Sequence, residues 1–469
     1  MAPKFGTSGL RGLVSDLTDD LCARYVRAFL DVMPPGDLLY VGRDLRPSSP
    51  RIAAAVAGAA DGRRVVDCGA LPTPALALAA MAAGAPAVMV TGSHIPADRN
   101  GLKFYRPEGE ITKQDEEAIS ARAGAASGTI QPTGREAFDA AAAYAARYVD
   151  FFGPRALSGL KIGVYEHSTV ARDGLASVLP ALGAEVVRFG RSDIFIPVDT
   201  EAVSPDMRAA LGAWAREYGV DAIVSADGDA DRPLLTDASG RVVPGDVLGA
   251  LTAMALGADL VVTPVSSNTL IERSGAFRCT LRTRIGSPYV VAGLAEVAGE
   301  GGRPVGFEAN GGFLLGFTAE RGGRRLPPLL TRDAFLPILA VLAVARAEGN
   351  GVAGLLARLP QRHTAADRLE EAPTDLSKAL VARLSGDEAA RAAFFDGYGR
   401  EEGLDLTDGL RVTFERGLIL HLRPSGNAPE LRVYAEAADP EEAERAMRDV
   451  LARAWRALKG DGRSSVQAC

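Results

Sequence analysis

The chain has 469 residues, of which 52 are basic and 59 acidic, giving a formal net charge of −7. Its length exceeds that of one ordinary domain, and a composition of 47% hydrophobic and 24% charged residues is typical of a globular protein with several cores. The acidic balance and the absence of a basic block argue against a nucleic-acid partner. We therefore expect several domains and a ligand that need not be large.

The cysteines and the N-terminal sequence indicate the compartment. Cys22, Cys68, Cys279 and Cys469 lie far apart without a CxxC pair, which favours reduced thiols over a zinc site or disulfides. The first residues lack the basic segment and apolar stretch of a secretory signal. The uncharged span 69–93 contains three prolines, which suits a buried helix and strand better than a membrane span. We expect a cytoplasmic protein without a membrane partner.

Short apolar runs alternate with amphipathic segments over the first three quarters of the chain. This alternation predicts three α/β domains with mixed or mostly parallel sheets. The predicted strands are 38–41, 65–67, 87–90, 160–165, 186–189, 222–225, 260–262 and 305–307. The predicted helices are 50–61, 170–182, 205–218, a short helix after Ser267, and 335–347.

The last quarter has a different pattern. Close-set apolar runs at 410–414, 418–422 and 431–435 precede a charged helix at 440–458. Successive strands followed by one helix predict a C-terminal antiparallel α+β domain. The domains predicted for the whole chain are 1–153, 154–242, 243–362 and 363–469.

Three carboxylates alternate directly after the predicted strand 222–225. Asp227, Asp229 and Asp231 lie where a strand end opens into a loop, and oxygen ligands gathered at one point suit Mg²⁺. An EF-hand also begins with alternating acids, but it would need Gly at Arg232 and Glu at Ala238. An acidic solvated turn is the alternative. The apolar strand that leads into these acids favours the metal site.

Ser93 follows the predicted strand 87–90. A serine at a strand-to-loop transition is exposed where the ligands of α/β sheets usually bind. His94 beside it suggests a serine hydrolase, but Gly-x-Ser-x-Gly is absent because Ser93 is followed by His-Ile-Pro. Taken alone, Ser93 is more typical of a turn hydroxyl and Lys103 of a surface lysine. In a site, Lys103 could supply a cation or a proton.

Two further loops are suited to anions. Glycines and hydroxyls surround Arg11 in the segment 5–12, which is either an anion-friendly loop or a plain N-terminal turn. In the segment 421–432 a strand ends at Arg423, and hydroxyl, amide and backbone N–H groups follow. Arginine can bind phosphate through two parallel hydrogen bonds, which favours a phosphate site, although hairpin loops commonly hold Ser, Gly and Asn.

Taken in order, these stretches resemble the α-D-phosphohexomutase superfamily from Phe5 to Glu436. The resemblance implies four domains around a central cleft and a magnesium-dependent enzyme that interconverts hexose 6-phosphate and hexose 1-phosphate. It implies a phosphoserine at Ser93, a small sugar phosphate as substrate, and a bisphosphorylated hexose as intermediate and activator. It also implies a C-terminal domain that hinges to admit the sugar.

The resemblance assigns roles to individual residues. Ser93, Arg11, Lys103 and His94 would form the catalytic group. Asp227, Asp229 and Asp231 would hold Mg²⁺ together with an oxygen of the phosphorylated Ser93. The residues expected to bind substrate are Arg232, Arg284, Glu308, Asn310, Arg423, Ser425, Gly426, Asn427 and Arg432.

The sequence departs from the common pattern of the superfamily at Gly92, Ile95, Ala230, Asn310 and Asn427-Ala428. Of these, the change at Asn310 concerns recognition of sugar hydroxyls, which leaves the preference between mannose and glucose open. Mannose is the sugar expected, with glucose as the other choice. The alternatives are a phosphoglucosamine mutase, a phosphatase that discharges the phosphoserine to water, and a non-catalytic sugar-phosphate-binding protein.

Overall fold

The computed structural model describes residues 3–6, 9–131, 134–299, 301–425 and 429–461. Two compact units divide the chain. The first is drawn from Met1–Thr263, Ala276–Leu281 and Gly286–Arg358, and the second from Pro264–Gly275, Arg282–Ile285 and Leu359–Cys469. Over the described ranges, no helix is both long enough and apolar enough to cross a membrane.

The first sheet of unit 1 has the strand order β1-β2-β6-β5-β3-β4-β8, and β7 pairs with β6. Strands β5, β3, β4 and β8 pair in parallel, whereas β1, β2, β6 and β5 pair antiparallel. The elements are β1 Lys4–Gly6, β2 Gly9–Leu13, α1 Asp19–Val32, β3 Leu38–Arg43, α2 Ser49–Gly58, β4 Arg64–Ala70, α3 Thr73–Ala82, β5 Ala87–Val90, β6 Arg99–Arg106, β7 Gly109–Glu110, α4 Lys113–Ala123, β8 Arg135–Ala137 and α5 Ala140–Phe152.

The uncharged span 69–93 becomes helix α3 and strand β5, as predicted. Helix α3 has Pro74 in its first turn, where a missing backbone N–H costs nothing, and it buries most of its residues. All four residues of β5 are buried. An apolar run broken by prolines is therefore a core helix and strand here.

The second sheet of unit 1 has the order β10-β9-β11-β12. Strands β10, β9 and β11 are parallel, and β12 returns antiparallel to β11 through a tight acidic loop. The elements are β9 Lys161–His167, α6 Arg172–Ala181, β10 Glu185–Arg191, α7 Pro205–Tyr218, β11 Ala222–Ala226, β12 Pro233–Leu235 and α8 Gly245–Leu256.

A third sheet has the order β14-β13-β15-β16-β19, and β17 and β18 form a separate ribbon. Strands β13 and β15 are parallel, and β15, β16 and β19 are antiparallel. The elements are β13 Leu260–Pro264, α9 Leu270–Arg273, β14 Cys279–Thr283, α10 Ser287–Val297, β15 Pro304–Phe307, β16 Phe313–Leu315, β17 Ala319–Arg321, β18 Arg324–Leu326, β19 Leu329–Asp333, α11 Phe335–Glu348 and α12 Gly351–Leu356.

Unit 2 contains an antiparallel sheet of order β20-β24-β23-β22-β21. Alternate residues of β22 and β24 point into a core that helices α13 and α15 cover. The elements are β20 His363–Leu369, α13 Thr374–Gly386, α14 Glu388–Phe394, β21 Glu401–Asp405, β22 Leu410–Phe414, β23 Ile419–Pro424, β24 Leu431–Ala437 and α15 Pro440–Asp461.

The strands and helices predicted from apolar runs are all present, and the mixed α/β fold with an antiparallel C-terminal sheet is confirmed. The prediction omitted elements whose apolar pattern is weak, such as β6, which carries Asn100 and Lys103 in its buried stretch. Buried polar residues of this kind obscure the strand pattern because their burial depends on partners far away in sequence.

Asp333 joins helices α5 and α11 within unit 1. Its Oδ1 accepts hydrogen bonds from the Tyr144 hydroxyl at 2.5 Å and from the Phe335 backbone N–H at 2.8 Å. The Tyr148 hydroxyl donates to its Oδ2. Burial raises the pKa of Asp333 despite these donors. This cluster fixes the end of β19, next to a residue that lies in the candidate site.

Candidate active site

Ser93 lies beyond the C-terminal end of β5, and its backbone is left-handed, with φ of 54°. A residue other than glycine in that conformation stores strain on the order of 1–3 kcal/mol. The sequence predicts an exposed hydroxyl, but the residue is fully buried. The difference arises because another loop covers the strand end.

Arg46 holds the loop that carries Ser93. Its side chain is fully buried, its Nε pairs with Asp44 at 3.1 Å, and the ring of Phe195 lies 4.0 Å from the guanidinium carbon. The two terminal nitrogens donate to four backbone carbonyls at 2.5–2.9 Å, those of Ser93, Ile95, Pro96 and Arg99. The guanidinium thus uses its donors to fix the loop backbone.

Asp44 and Arg11 complete the support of the loop. Asp44 accepts from the Thr91 hydroxyl at 2.8 Å and from the Gly92 N–H at 3.3 Å. Arg11 donates from Nη1 to the Gly92 carbonyl at 2.6 Å. A Cβ at Gly92 would lie 2.5 Å from the guanidinium carbon of Arg46, so this position requires glycine in the present arrangement.

The acidic loop follows β11 and closes on itself. The Asp227 Oδ1 accepts from the backbone N–H groups of Asp231 and Arg232, both at 3.2 Å. Ala230 takes a left-handed φ of 59° to make the turn. The three aspartates are fully or almost fully buried, and their ligand atoms lie within 4.8 Å of one another. The solvated-turn alternative is therefore wrong.

The serine loop and the acidic loop meet inside unit 1. Ser93 Oγ donates to Asp227 Oδ2 at 2.5 Å. Lys103 on β6, paired opposite Met89 of β5, places its Nζ 2.5 Å from Asp229 Oδ2 and 2.5 Å from Asp231 Oδ2. The pairing of β5 with β6 thus brings the lysine and the serine to one carboxylate cluster.

The three aspartates of the cluster differ in the direction of their pKa shifts. Burial and repulsion from its two neighbours raise the pKa of Asp227 well above its usual value. For Asp229, burial is outweighed by Lys103, so its pKa is lowered. The pKa of Asp231 is also lowered, since Arg332 and Lys103 together outweigh burial. A cation bound at the three carboxylates would relieve this repulsion.

Two atoms of the cluster are suited to a metal ion. Asp229 Oδ1 and Asp231 Oδ1 are buried and have no hydrogen-bond partner among the described residues. Unpaired buried carboxylate oxygens are costly, and hard divalent cations bind oxygen ligands of this kind. The donor set therefore fits a divalent cation.

His94 and Arg232 flank the cluster. His94 Nδ1 lies 3.4 Å from Ser93 Oγ, and its Nε2 lies 4.0 Å from Asp199. Burial and the charge of Arg232 lower the pKa of His94 to about 3, so the ring is neutral at neutral pH. Arg232 Nε lies 4.0 Å from Asp227 Oδ2 and 3.8 Å from Asp231 Oδ1.

Glu308 and Asn310 lie in the loop between β15 and β16, and both are buried. The Asn310 side chain accepts from the Gly312 N–H at 3.0 Å, and the Asn310 carbonyl accepts from the Thr200 hydroxyl at 2.9 Å. Arg332 lies 3.4 Å from Glu308 and 2.8 Å from Asp231. This arginine connects the loop to the acidic cluster within unit 1.

The remaining predicted residues belong to unit 2. Asp408 accepts from Arg423 Nε at 2.8 Å and from the Ile285 N–H at 3.0 Å, while Arg284 Nε donates to the Thr407 carbonyl at 3.2 Å. Arg432 lies opposite Arg423 across β23 and β24. Ser425 is buried at the end of β23. Gly426 and Asn427 lie outside the described residues.

Sequence reasoning missed Arg46, Arg332 and Asp408. Arg46 lies in Gly42-Arg43-Asp44-Leu45-Arg46, directly after the predicted strand 38–41, where an Asp-x-Arg pair could have been weighed. Arg332 and Asp408 follow no pattern of spacing that would distinguish them from surface residues. Their importance arises from contacts between elements distant in sequence.

Comparisons with known proteins identify the fold and the family. Residues 2–128, 244–363 and 368–453 match the phosphoglucomutase/phosphomannomutase alpha/beta/alpha domain I, alpha/beta/alpha domain III and C-terminal domain. A phosphomannomutase of Sinorhizobium fredii is 50% identical, covering 96% of this chain and 98% of that protein. A phosphomannomutase of Salmonella muenchen is 44% identical, covering 94% of this chain and 93% of that protein.

One solved structure confirms the four-domain architecture. It is a phosphoglucomutase/phosphomannomutase family protein from Burkholderia thailandensis, with a TM-score of 0.77 and 23% identity. The alignment covers 97% of each chain. At that identity the likeness concerns the fold alone.

Replacing Arg46 with methionine should loosen the Ser93 loop, because Asp44 and four carbonyls lose a buried donor. We expect a loss of about 3–5 kcal/mol in unfolding free energy and faster amide exchange across 91–99. The control is Arg24→Met, which removes an exposed pair with Asp20 and should cost less than about 1 kcal/mol. Unchanged amide exchange across 91–99 in the Arg46 variant would show that the loop does not depend on this arginine. If the methionine variant does not fold, Arg46→Lys is compared with the native protein instead.

Proposed function

The chain belongs to the phosphoglucomutase/phosphomannomutase family, and we propose that it is a phosphomannomutase interconverting mannose 6-phosphate and mannose 1-phosphate. Family membership makes it a phosphohexomutase, an isomerase that acts on sugar phosphates. Mannose is favoured because the relatives at 50% and 44% identity are both named phosphomannomutase.

One contact carries the proposal. Ser93 Oγ lies 2.5 Å from Asp227 Oδ2, so a serine hydroxyl borders three carboxylates, two of whose buried oxygens have no hydrogen-bond partner among the described residues. A phosphoryl group on that oxygen would carry about two negative charges at neutral pH. It would need a cation at the aspartates and positive side chains around it, and Arg11, Lys103 and Arg232 supply the latter.

The reaction proposed is two phosphoryl transfers. In the first, the bond between Ser93 Oγ and phosphorus breaks while the free sugar hydroxyl bonds to phosphorus, giving a bisphosphorylated hexose and a serine hydroxyl. In the second, Ser93 Oγ takes the other phosphoryl group and leaves the isomeric monophosphate. Bisphosphorylated hexose added to the protein would therefore serve as an activator, because it can phosphorylate an unphosphorylated Ser93.

Charge and proton handling fall to the remaining residues near Ser93. When bound at the three aspartates, Mg²⁺ would neutralise charge on the transferring phosphoryl group. Arg11, which already contacts the Gly92 carbonyl at 2.6 Å, is assigned a matching role. Lys103 is proposed to transfer the proton that passes between the sugar hydroxyl and the serine. Neutral His94 is proposed to form a hydrogen bond with Ser93 Oγ.

Substrate contacts are assigned to the other predicted residues. Glu308 and Asn310 are proposed to bind sugar hydroxyls, and Arg232 to bind phosphate. The phosphate that is not transferred is assigned to a group in unit 2 that shares positive charge or hydrogen-bond donors, namely Arg284, Arg423, Ser425, Gly426, Asn427 and Arg432.

Loss of the Ser93 hydroxyl should abolish mutase activity. With mannose 1-phosphate and a trace of the bisphosphate, we expect Ser93→Ala to lose at least about 1000-fold in kcat, and Ser177→Ala on α6 to match the native protein. Intact mass should show one phosphoryl group on the native protein and none on Ser93→Ala.

The same assay separates the alternatives. Faster turnover of glucosamine 1-phosphate than of mannose 1-phosphate would make the chain a phosphoglucosamine mutase. Inorganic phosphate released in step with sugar consumption would make it a phosphatase. Near-normal turnover by Ser93→Ala would remove the serine from the reaction.

Removing a carboxylate should weaken the cation site. We expect the native protein to bind one Mg²⁺ in calorimetry, and Asp229→Asn to bind it at least about tenfold more weakly. The matched control is Asp206→Asn, in the first turn of α7. EDTA should stop turnover and added Mg²⁺ restore it; turnover that survives EDTA would count against a metal role.

A further inference from the structure

Arg332, the residue before Asp333 on β19, lies between the acidic cluster and the loop of Glu308. We infer that Arg332 is a positioning residue: its guanidinium holds the Glu308 carboxylate in place to bind the sugar, using Asp231 as its anchor. The inference rests on the proposed function of Glu308 and concerns an arginine to which neither sequence pattern nor family resemblance assigned a role.

The guanidinium of Arg332 contacts two carboxylates, one with each terminal nitrogen. One terminal nitrogen lies 2.8 Å from Asp231 Oδ2 and the other 3.4 Å from Glu308 Oε2. The Nε lies 4.0 Å from Glu110 Oε1, and the side chain is only 5% exposed. A planar fork suits this task, since each arm reaches a different partner from one rigid group.

The backbone around Arg332 is fixed on both sides. Thr331 donates to Glu110 at 3.1 Å, and Ser287 donates to the other oxygen of Glu110 at 2.7 Å. Asp333 is held by Tyr144 and Tyr148. The arginine therefore projects from a rigid strand end, which is what accurate placement of a second side chain requires.

Glu308 has little else to hold it. Its other contact with a side chain, among those found in the described chain, is the Asn310 amide at 3.5 Å, the limit for a hydrogen bond. The stem of Arg332 also packs on the loop, because a Cβ at Gly312 would lie 2.8 Å from its Cγ and Cδ. The arginine thus supports both the carboxylate and the backbone of the sugar loop.

Asp231 depends on Arg332 much less than Glu308 does. The same Oδ2 atom of Asp231 receives Lys103 at 2.5 Å, so one cation remains when Arg332 is removed. Glu308 would instead lose the cation that its buried carboxylate contacts at 3.4 Å and would turn away. Loss of Arg332 should therefore affect sugar binding through Glu308 and leave the metal carboxylates largely intact.

A double-mutant cycle tests this coupling. Arg332→Met and Glu308→Gln should each lower kcat/KM for mannose 1-phosphate by about 100-fold, and the double variant should fall no further than the lower single variant, within about threefold. Mg²⁺ affinity measured by calorimetry should change less than about threefold in Arg332→Met. Independent losses that multiply to about 10,000-fold, or Mg²⁺ binding that falls with kcat/KM, would overturn the inference.

Amide exchange provides a readout that needs no turnover. Arg332→Met should exchange faster across 305–313, whereas Arg391→Met, which removes a partly buried pair with Glu401 in unit 2, should not change exchange in that segment. Arg332→Lys keeps the positive charge but lacks the second terminal nitrogen of the guanidinium. It should therefore be more stable to unfolding than Arg332→Met and still lose about tenfold in kcat/KM relative to the native protein. Unchanged exchange in both Arg332 variants would contradict the inference.

The two proposals fail in different ways. If the native protein turned over none of the hexose phosphates, the proposed function would be wrong, and exchange across 305–313 would still decide whether Arg332 positions the loop. If the native protein were active and the variants behaved independently, the function would stand and the role of Arg332 would not.

Discussion

The concentration of buried negative charge behind Ser93 constrains the rest of unit 1. Three aspartates have ligand atoms within 4.8 Å of one another, and like charges at that distance repel by about 3–4 kcal/mol at an effective dielectric of 20. Such a cluster is stable only beside cations. Lys103 and Arg332 both contact Asp231 Oδ2, and the Oδ1 atoms of Asp229 and Asp231, which have no hydrogen-bond partner among the described residues, are available to a divalent ion. Two side chains from separate sheets therefore bring positive charge to one carboxylate.

The pairing of neighbouring strands places positively charged side chains next to the serine loop and the acidic loop. Strand β5 ends at the serine loop, and its antiparallel neighbour β6 carries Lys103 back to the same place. Strand β2 pairs with β6 and places Arg11 opposite Gly101. The parallel strand β11 ends at Ala226, directly before Asp227, and ligands of parallel sheets bind at the carboxyl ends of such strands. Ser93 and Asp227 thus lie just after strand ends, while Lys103 and Arg11 lie within the neighbouring strands β6 and β2, so strand pairing sets their positions.

The apolar pattern of the sequence predicted the strands and the loops that directly follow them. The strands before Ser93 and Asp227 are apolar runs, and their loops were located correctly because a strand end and its loop are adjacent in sequence. The burial of Ser93 was not predictable, because the loop that covers it is 134 residues away. Arg46 and Arg332 were missed for the same reason: an arginine is normally exposed, and only tertiary contacts show that these two are buried.

Arg46 and Arg332 apply one physical device to different loops. Each is a buried guanidinium fixed to an aspartate, Asp44 at 3.1 Å and Asp231 at 2.8 Å. The terminal nitrogens of Arg46 reach backbone carbonyls of the Ser93 loop, whereas one terminal nitrogen of Arg332 reaches the Glu308 carboxylate at 3.4 Å. A strand or helix fixes backbone through its own hydrogen bonds, but a strained loop such as that of Ser93 cannot. A rigid, always-charged fork provides those bonds from outside the loop. Arg46 therefore restrains the left-handed backbone of the Ser93 loop directly, whereas Arg332 acts on its loop through the carboxylate of Glu308.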